Sequence, residues 1–314
     1  MTVKEVTAEE YAATAFEHPH VYNSVEFARL NAHKTDGLRY LTFSRDGVTM
    51  AGMIVGERDG RLLSPFSAPF GGFSTVGHLR LDTVEQAVEA LCGYAKHAGM
   101  DIGIVLPPQL YAPTLTAHCI SALARRATLK HIDLNYYFTL SKCHDYEQLI
   151  DRSARKNLRR ALSASLELEA VARDDRKGMA TAYDIIRRNR EEHGYELRMS
   201  LDDVAATTEI IDADFFLLRH ATSGDIVAAA QVFHVAKGIA QVIYWGDLRA
   251  YGSMRPMNGL AHLLFEHYHN VGLSTLDIGP STTGGIPNLG LCDFKTGIGC
   301  DIVPKFAFEI AANR

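Results

Sequence analysis

Five basic residues crowd into DRSARKNLRRALSASLELEAV, which runs from Asp151 to Val171. Wound as a helix, Arg152, Arg155, Lys156, Arg159 and Arg160 fall at i, i+3, i+4, i+7 and i+8, all on one face. Leu158, Ala161 and Leu162 point elsewhere and can pack. Like charges at this spacing repel by roughly 0.2–0.5 kcal/mol per pair on an isolated helix, and an ordinary solvated face mixes signs. A single-sign face suits the phosphates of a nucleotide, a coenzyme or an RNA end. The plainer alternative is a charged surface with acidic partners elsewhere in the fold. A second basic cluster, Arg187, Arg188 and Arg190, precedes His193-Gly194-Tyr195 and is partly neutralised by Glu191 and Glu192. Gly194 can end that helix and leave Tyr195 facing a cleft or the surface.

Other chemistries lack their residues. The chain has no GxSxG elbow, no HExxH, no GxxxxGK[ST] and no strand-associated GxGxxG. The cysteines (Cys92, Cys119, Cys143, Cys292, Cys300) are scattered, form no CxxC pair and have no evident histidine partner. His262, Glu266 and His269 share a helical face, but that helix reads as a packed crossover, and no metal is expected.

The elements that must position such groups are clearest from Ile226 to Ser281. IVAAAQVFHV turns at Ala236-Lys237-Gly238 and continues as IAQVIYWG, a hairpin by its β-branched and aromatic content. A polar loop, GSMRPMNG (Gly252–Gly259), leads into LAHLLFEHYHNVG, whose Leu260, Leu263, Leu264, His267 and Tyr268 have helical spacing. The run LSTLDIG then reads as a buried strand. If it lies parallel to the hairpin's second strand, the helix crosses over and its N-terminus reaches the sheet's centre. There, free N–H groups and the side chains of Ser253, Arg255 and Asn258, with Gly259, can meet a donor's negative charge or carbonyl. Asp277, at the end of the last strand, can orient an amine or accept its proton. Tyr244 from the hairpin, with Ser281 and Asn288 from the Gly-, Ser- and Thr-rich stretch Gly279–Asn288, would line a cleft.

The same order occurs earlier. VTMAGMIV matches IVAAAQVF and RLLSPF matches AQVIYW. A helix over Thr83–Ala98, capped by Asp82 or Thr83 and ended by Gly99, matches the one ending at Gly272. MDIGIV, with Asp101, matches TLDIGP. The copies lie roughly 175 residues apart, which is duplication of a domain and not a solenoid period. The expected domains are 1–143 and 144–314. SPFSAPFGGF (Ser64–Phe73) stands where GSMRPMNG stands in the second copy, but is almost uncharged. Phe66, Ser67 and Phe70 therefore suit an acceptor-side wall, or a packed loop, better than a phosphate cradle.

At 314 residues, two domains fit comfortably. Apolar content of 47%, charged content of 22% and a formal net charge of −5 are ordinary for a globular protein and argue against a general nucleic-acid coat. The polar N-terminus lacks the form of a signal peptide, and no apolar run reaches membrane-spanning length. The expectation is a soluble, cytoplasmic protein.

Taken in order, the repeat, the RKNLRRA helix, NREEHGY, the SMRPMNGLAHLLFEHYHNVGLSTLDIGPS block and the closing NLGLCDFKTGIG resemble the FemAB-type (FemX-like) transferases. The resemblance covers most of the chain and is clearest in Asp151–Ile310. It implies a mixed α/β fold: two tandem GNAT-like domains, each with a mostly antiparallel sheet flanked by helices. It further implies transfer of an aminoacyl or acyl group, from aminoacyl-tRNA or acyl-CoA, to an amine of a peptidoglycan, cell-envelope or glycan precursor. No permanent cofactor is implied. Lys295, in DFKTG, matches the family's tail lysine, and the match assigns it to stabilising transition-state charge. The alternatives are an acyltransferase acting on a protein N-terminus or small metabolite, and a ligand-binding protein that kept the fold without turnover. The loop GSMRPMNG is poorer in glycine and basic residues than a GNAT phosphate loop, which leaves the donor open. Direct attack of an amine on an ester or thioester needs positioning, a proton acceptor and donors aimed at the oxyanion, but no covalent nucleophile.

Overall fold

Two-residue Asp-Gly turns fold the first part of the chain into a meander, because Asp46-Gly47 and Asp59-Gly60 all take positive φ. The computed structural model describes residues 1–313. Along the chain these are β1 (Thr2–Val6), α1 (Ala8–Ala12), α2 (Val25–Leu30), β2 (Gly37–Arg45), β3 (Val48–Arg58), β4 (Arg61–Ser64), β5 (Ser74–Thr75), α3 (Leu81–Ala98), β6 (Ile102–Val105), α4 (Pro113–Ala124) and β7 (Thr128–Thr139). There follow α5 (Tyr146–Leu149), α6 (Arg152–Ser163), β8 (Leu166–Ala170), α7 (Arg176–His193), α8 (Leu201–Thr208), β9 (Ala213–His220), β10 (Ile226–Ala236) and β11 (Ile239–Asp247). The last elements are α9 (Pro256–Asn270), β12 (Thr275–Pro280), β13 (Thr282–Thr283), β14 (Ile286–Pro287), α10 (Leu289–Gly297) and β15 (Asp301–Ile310).

The chain forms two compact units. The first holds Met1–Leu134, Thr282–Ile286 and the residues from Val303 on; the second holds Asn135–Ser281 and Pro287–Ile302. A single cut at 143/144 therefore does not describe them, since the last strand returns to the first unit. In that unit β1, β2, β3 and β4 pair antiparallel in sequence order, β6 lies parallel to β4, and β15 is antiparallel to β6. Val84, Ala87, Val88, Leu91 and Ala95 form one stripe of α3 and meet Leu41, Met53, Val55, Leu62 and Ile104 from the sheet in the core.

In the second unit β8, β9, β10 and β11 pair antiparallel in order, β12 lies parallel to β11, and β7 is antiparallel to β12. α7 buries Ala182, Ile185 and Ile186 against Phe215, Leu217 and Ala229. α9 covers the opposite face: Phe216, which alternates with Phe215, meets His267 and Tyr268 edge-on, and Phe265 stacks on Phe138 at 4.0 Å. The β4–α3–β6 and β11–α9–β12 crossovers are the repeated unit read from the sequence.

Local details differ from expectation. β1 is a polar edge strand with no buried residue, so its pattern carried no alternation signal. α4 opens on Pro113 and mixes Thr, His and Ser with its apolar residues, which hid it. α3 begins two residues earlier than expected, and its N-cap, Arg80, makes no side-chain cap bond. Ser24 caps α2, its Oγ accepting from the Phe27 amide at 3.2 Å, and the helix ends at Leu30.

Candidate functional site

β11 and β12 pair only at Ile239–Thr275, Ala240–Leu276 and Gln241–Asp277, after which β12 bulges between Asp277 and Gly279. Beyond Gln241 the two parallel strands diverge, and Val242–Asp247 of β11 lose their partner on that side. A gap of this kind exposes main-chain N–H and C=O groups to a ligand.

Gly279, at φ 72°, bends the end of β12. The carbonyls of Ile278, Gly279 and Pro280 then converge on the Lys295 ammonium, which donates to them at 2.7, 2.8 and 3.1 Å. All three of its N–H donors are thus used. Lys295 sits on α10, whose N-cap Asn288 accepts from the Leu291 amide at 3.1 Å. The lysine is only 2% exposed and lies over the Tyr136 ring at 5.4 Å. Burial lowers its pKa to about 8, against the opposing pull of Asp277. The carbonyl cradle is what buries Lys295, the residue that the family resemblance assigns to transition-state charge.

Asp277 is fully buried and accepts from Asn135 Nδ2 at 2.8 Å, Gln241 Nε2 at 2.7 Å and its own strand's Gly279 N–H at 2.9 Å. Its carboxylate is occupied, so its geometry serves to lock the strand ends and bend. Ser281 is 3% exposed, and its Oγ has no hydrogen-bond partner among the described residues. The Ser281 carbonyl receives the Asn288 amide at 2.9 Å. The Asn288 side chain donates to the Tyr195 hydroxyl at 3.0 Å, so these two expected cleft residues meet. Gly194 ends α7 in the left-handed region at φ 69°, and Tyr195 beyond it is 50% exposed. Tyr244 is half-buried, with the Arg190 guanidinium 4.8 Å over its ring, and burial raises its pKa.

Asp247 was missed. It ends β11, its main-chain carbonyl receives Asn189 Nδ2 at 2.7 Å, and its half-buried carboxylate has no ion pair among the described residues. Burial raises its pKa, partly offset by its own backbone amide and by His193. A lone Asp at a strand end carries no sequence signal beyond its position.

The loop after β11 is a 3-10 turn (Arg249–Met254), followed by Arg255 in the left-handed region at φ 59°. Ser253 and Arg255 are exposed and free to meet a ligand. The Asn258 and Gly259 amides instead close onto the Arg255 carbonyl at 3.1 and 3.4 Å. Gly259 serves packing, because a Cβ there would stand 3.2 Å from the Ala161 Cβ of α6. α6 itself presents Arg152, Arg155, Lys156 and Arg159 around a hollow of about 480 Å³. Arg155 is partly spent: it donates to the Glu147 and Ile150 carbonyls at 2.6 and 3.2 Å. Arg159 pairs with Glu147 at 3.1 Å. Arg152 and Lys156 are exposed and unpaired among the described residues. The basic face is therefore half structural and half available.

Phe66, Ser67 and Phe70 belong to the first unit. There, β4 and β6 also pair at only three positions, from Leu62–Ile102 to Ser64–Ile104. The chain then fills its own gap: the Gly71 amide bonds Val105 O at 2.9 Å, and Phe70 is fully buried among His20, Tyr22 and Tyr111. Ser67 Oγ donates to Asn31 Oδ1 at 2.9 Å. Phe70 is thus packed core and not an exposed wall.

No family model matches the chain, and no curated protein matches it in sequence. Solved structures do match it in fold. FemX superposes with a TM-score of 0.65 at 14% identity, over 100% of this chain and 98% of FemX. L-PGS from Bacillus licheniformis gives 0.59 at 13% identity, over 98% and 91% of the respective chains. The C-terminal domain of a putative lysylphosphatidylglycerol synthetase from Agrobacterium fabrum gives 0.57 at 15%, over 96% and 90%. The chain has a FemX-like tandem GNAT fold.

Proposed function

We propose that this chain transfers an aminoacyl or acyl group to an amine of a cell-envelope precursor, and that the donor is an aminoacyl-tRNA. The observation that carries the reading is the diverging β11–β12 pair with the buried Lys295 ammonium at its apex. The fold likeness to FemX and to two lysylphosphatidylglycerol synthetase-type structures supports it.

In this reading the donor carbonyl enters the gap beside the N-terminus of α9, near Ser253 and Arg255. The acceptor amine attacks the carbonyl carbon and the tetrahedral oxyanion forms. The C–O bond to the donor's ribose then breaks, and the leaving oxygen takes a proton. Lys295, with its donors committed to the three carbonyls, aligns the strand end and supplies positive charge through a low-dielectric region, where charge acts strongly. Asp247, unpaired and poised by burial, accepts the amine's proton. The first unit, its gap self-filled, binds no donor.

The choice of tRNA rests on Arg152 and Lys156, whose unpaired charges face the α6 hollow. The second reading, acyl-CoA, draws on Arg255 beside the start of α9. Binding of acetyl-CoA and of a charged tRNA to the purified protein, at two salt concentrations, separates them. Removing two phosphate contacts should flatten the salt dependence of log K by about 1.4–1.8. Arg152→Ala/Lys156→Ala is the apt variant, since Arg155 and Arg159 also hold the chain together. tRNA binding that is salt-insensitive, or unchanged in this variant, refutes the aminoacyl-tRNA reading; tight acetyl-CoA binding instead establishes the second.

A further inference from the structure

Among the arginines near the end of α7, Arg187 is tied to Asp184 and Glu191 at 2.6 Å each, and Arg188 is exposed. Arg190 is neither. It is half-buried, makes no ion pair among the described residues, and its buried Nε has no hydrogen-bond partner. The C-terminal end of α7 and the Tyr244 face both favour a cation there. Neither, however, offers an acceptor to the Nε hydrogen, and a buried donor left unmade is costly, more so when charged.

A second unsatisfied group lies against the same ring. Gln231 of β10 is 0% exposed, and neither its Oε1 nor its Nε2 has a partner among the described residues. In register it stands opposite Tyr244 of β11 and Phe215 of β9. Directly paired residues share a face about 5 Å apart. Phe215 and Tyr244 both pack into the core cluster beneath α7, so the Gln231 amide points to that side too. Two polar groups, on different elements, are therefore left unmade around one tyrosine. The Tyr195 hydroxyl, held by Asn288, links this place to the loop that leads into the Lys295 helix.

We infer that Arg190, stacked on Tyr244 with Gln231 beside it, forms a subsite for an oxyanion, carboxylate or phosphate, carried by the acceptor. The planar guanidinium presents a fork of N–H donors that matches either group. The Gln231 amide then meets a further polar group of the ligand or a bridging water. The word acceptor rests on the transferase reading; the subsite is tested by binding alone.

The heat of binding is followed by isothermal titration calorimetry while the full chain is titrated, at constant ionic strength, with glycylglycine, with the same dipeptide amidated at its C-terminus, and with inorganic phosphate. Saturable binding of glycylglycine, of phosphate or of both, with none by the amide, is expected; which anion binds identifies the source. Arg190→Gln should weaken the binding about tenfold or more, and Arg187→Gln should leave it unchanged. If Arg190→Gln does not fold, Arg190→Lys decides, and a several-fold loss is expected. The inference is overturned if neither anion saturates, if the amide binds equally, or if the Arg190 variants bind like the parent. Should that happen while group transfer proceeds, the subsite falls and the transferase reading stands.

Discussion

Replacing Lys295 with methionine tests the centre of the site, because shape is nearly kept while charge and donors go. Three effects compete. The carbonyls of Ile278, Gly279 and Pro280 lose their shared donor, at about 1–3 kcal/mol for each that stays dry. Against this, the ammonium's burial is relieved: a fall from 10.5 to about 8 corresponds to about 3 kcal/mol. The nearby Asp277 charge also loses a compensating neighbour. The net expectation is a destabilisation of about 1–4 kcal/mol at neutral pH. The pH dependence is sharper. A lysine whose folded value is depressed binds fewer protons folded than unfolded between pH 8 and 10.5, so stability rises with pH across that window. Below it the burial penalty is fully present. Urea unfolding of parent and Lys295→Met from pH 7 to 10 should show the parent's advantage growing by about 1–3 kcal/mol. A difference that stays flat over that range refutes the buried ammonium. Transfer activity should fall by more than the folded fraction does; equal falls would reduce Lys295 to a structural role.

Gly246→Ala should destabilise by about 1–3 kcal/mol in thermal unfolding, because the new Cβ would overlap the Asn189 side chain and displace its bond to Asp247 O; an unchanged Tm sinks that reasoning. His234 donates to Asp214 at 2.6 Å, and Tyr268 donates to the same oxygen at 2.9 Å. The Asp214 bond raises the His234 pKa; burial opposes the Asp214 charge, but the His234 bond outweighs it and holds that carboxyl low. The pair therefore stabilises between the two folded values, and its contribution fades as pH rises through that of His234 and as pH falls through that of Asp214. Asp214→Asn should cost about 1–2 kcal/mol in weakly acidic solution and less in alkali, measured by urea unfolding; the reverse trend counts against it. Asp247→Asn should lower kcat about 10²-fold or more with little change in KM for the donor, and should remove the acidic limb of the pH–rate profile; a retained limb assigns the proton to another group.

Much of the architecture was legible. The Ile226–Trp245 hairpin, the α9 crossover, the β12 strand and the Gly194 and Gly99 helix ends follow from periodicity and turn residues, which act between near neighbours in the chain. The repeat was legible for the same reason, since it repeats local signals. The single-face basic helix α6 was also visible, and only its partners were not. Whether an arginine is spent or free depends on where Glu147 and Ile150 lie, and spacing within the helix says nothing of that.

What the sequence by itself determined is thus the order and kind of the elements and the chemistry available on them. Tertiary structure alone decided which groups are buried and what they meet. Lys295 became a buried cation because a left-handed Gly279 turns three carbonyls onto one point. Asp277 became saturated because β7 and β11 bring Asn135 and Gln241 to it. Arg190 and Gln231, 41 positions apart in the chain, share a ring through strand register. Burial and pairing arise between residues distant in sequence, and they set the dielectric and hydrogen-bond supply on which charge, pKa and binding depend.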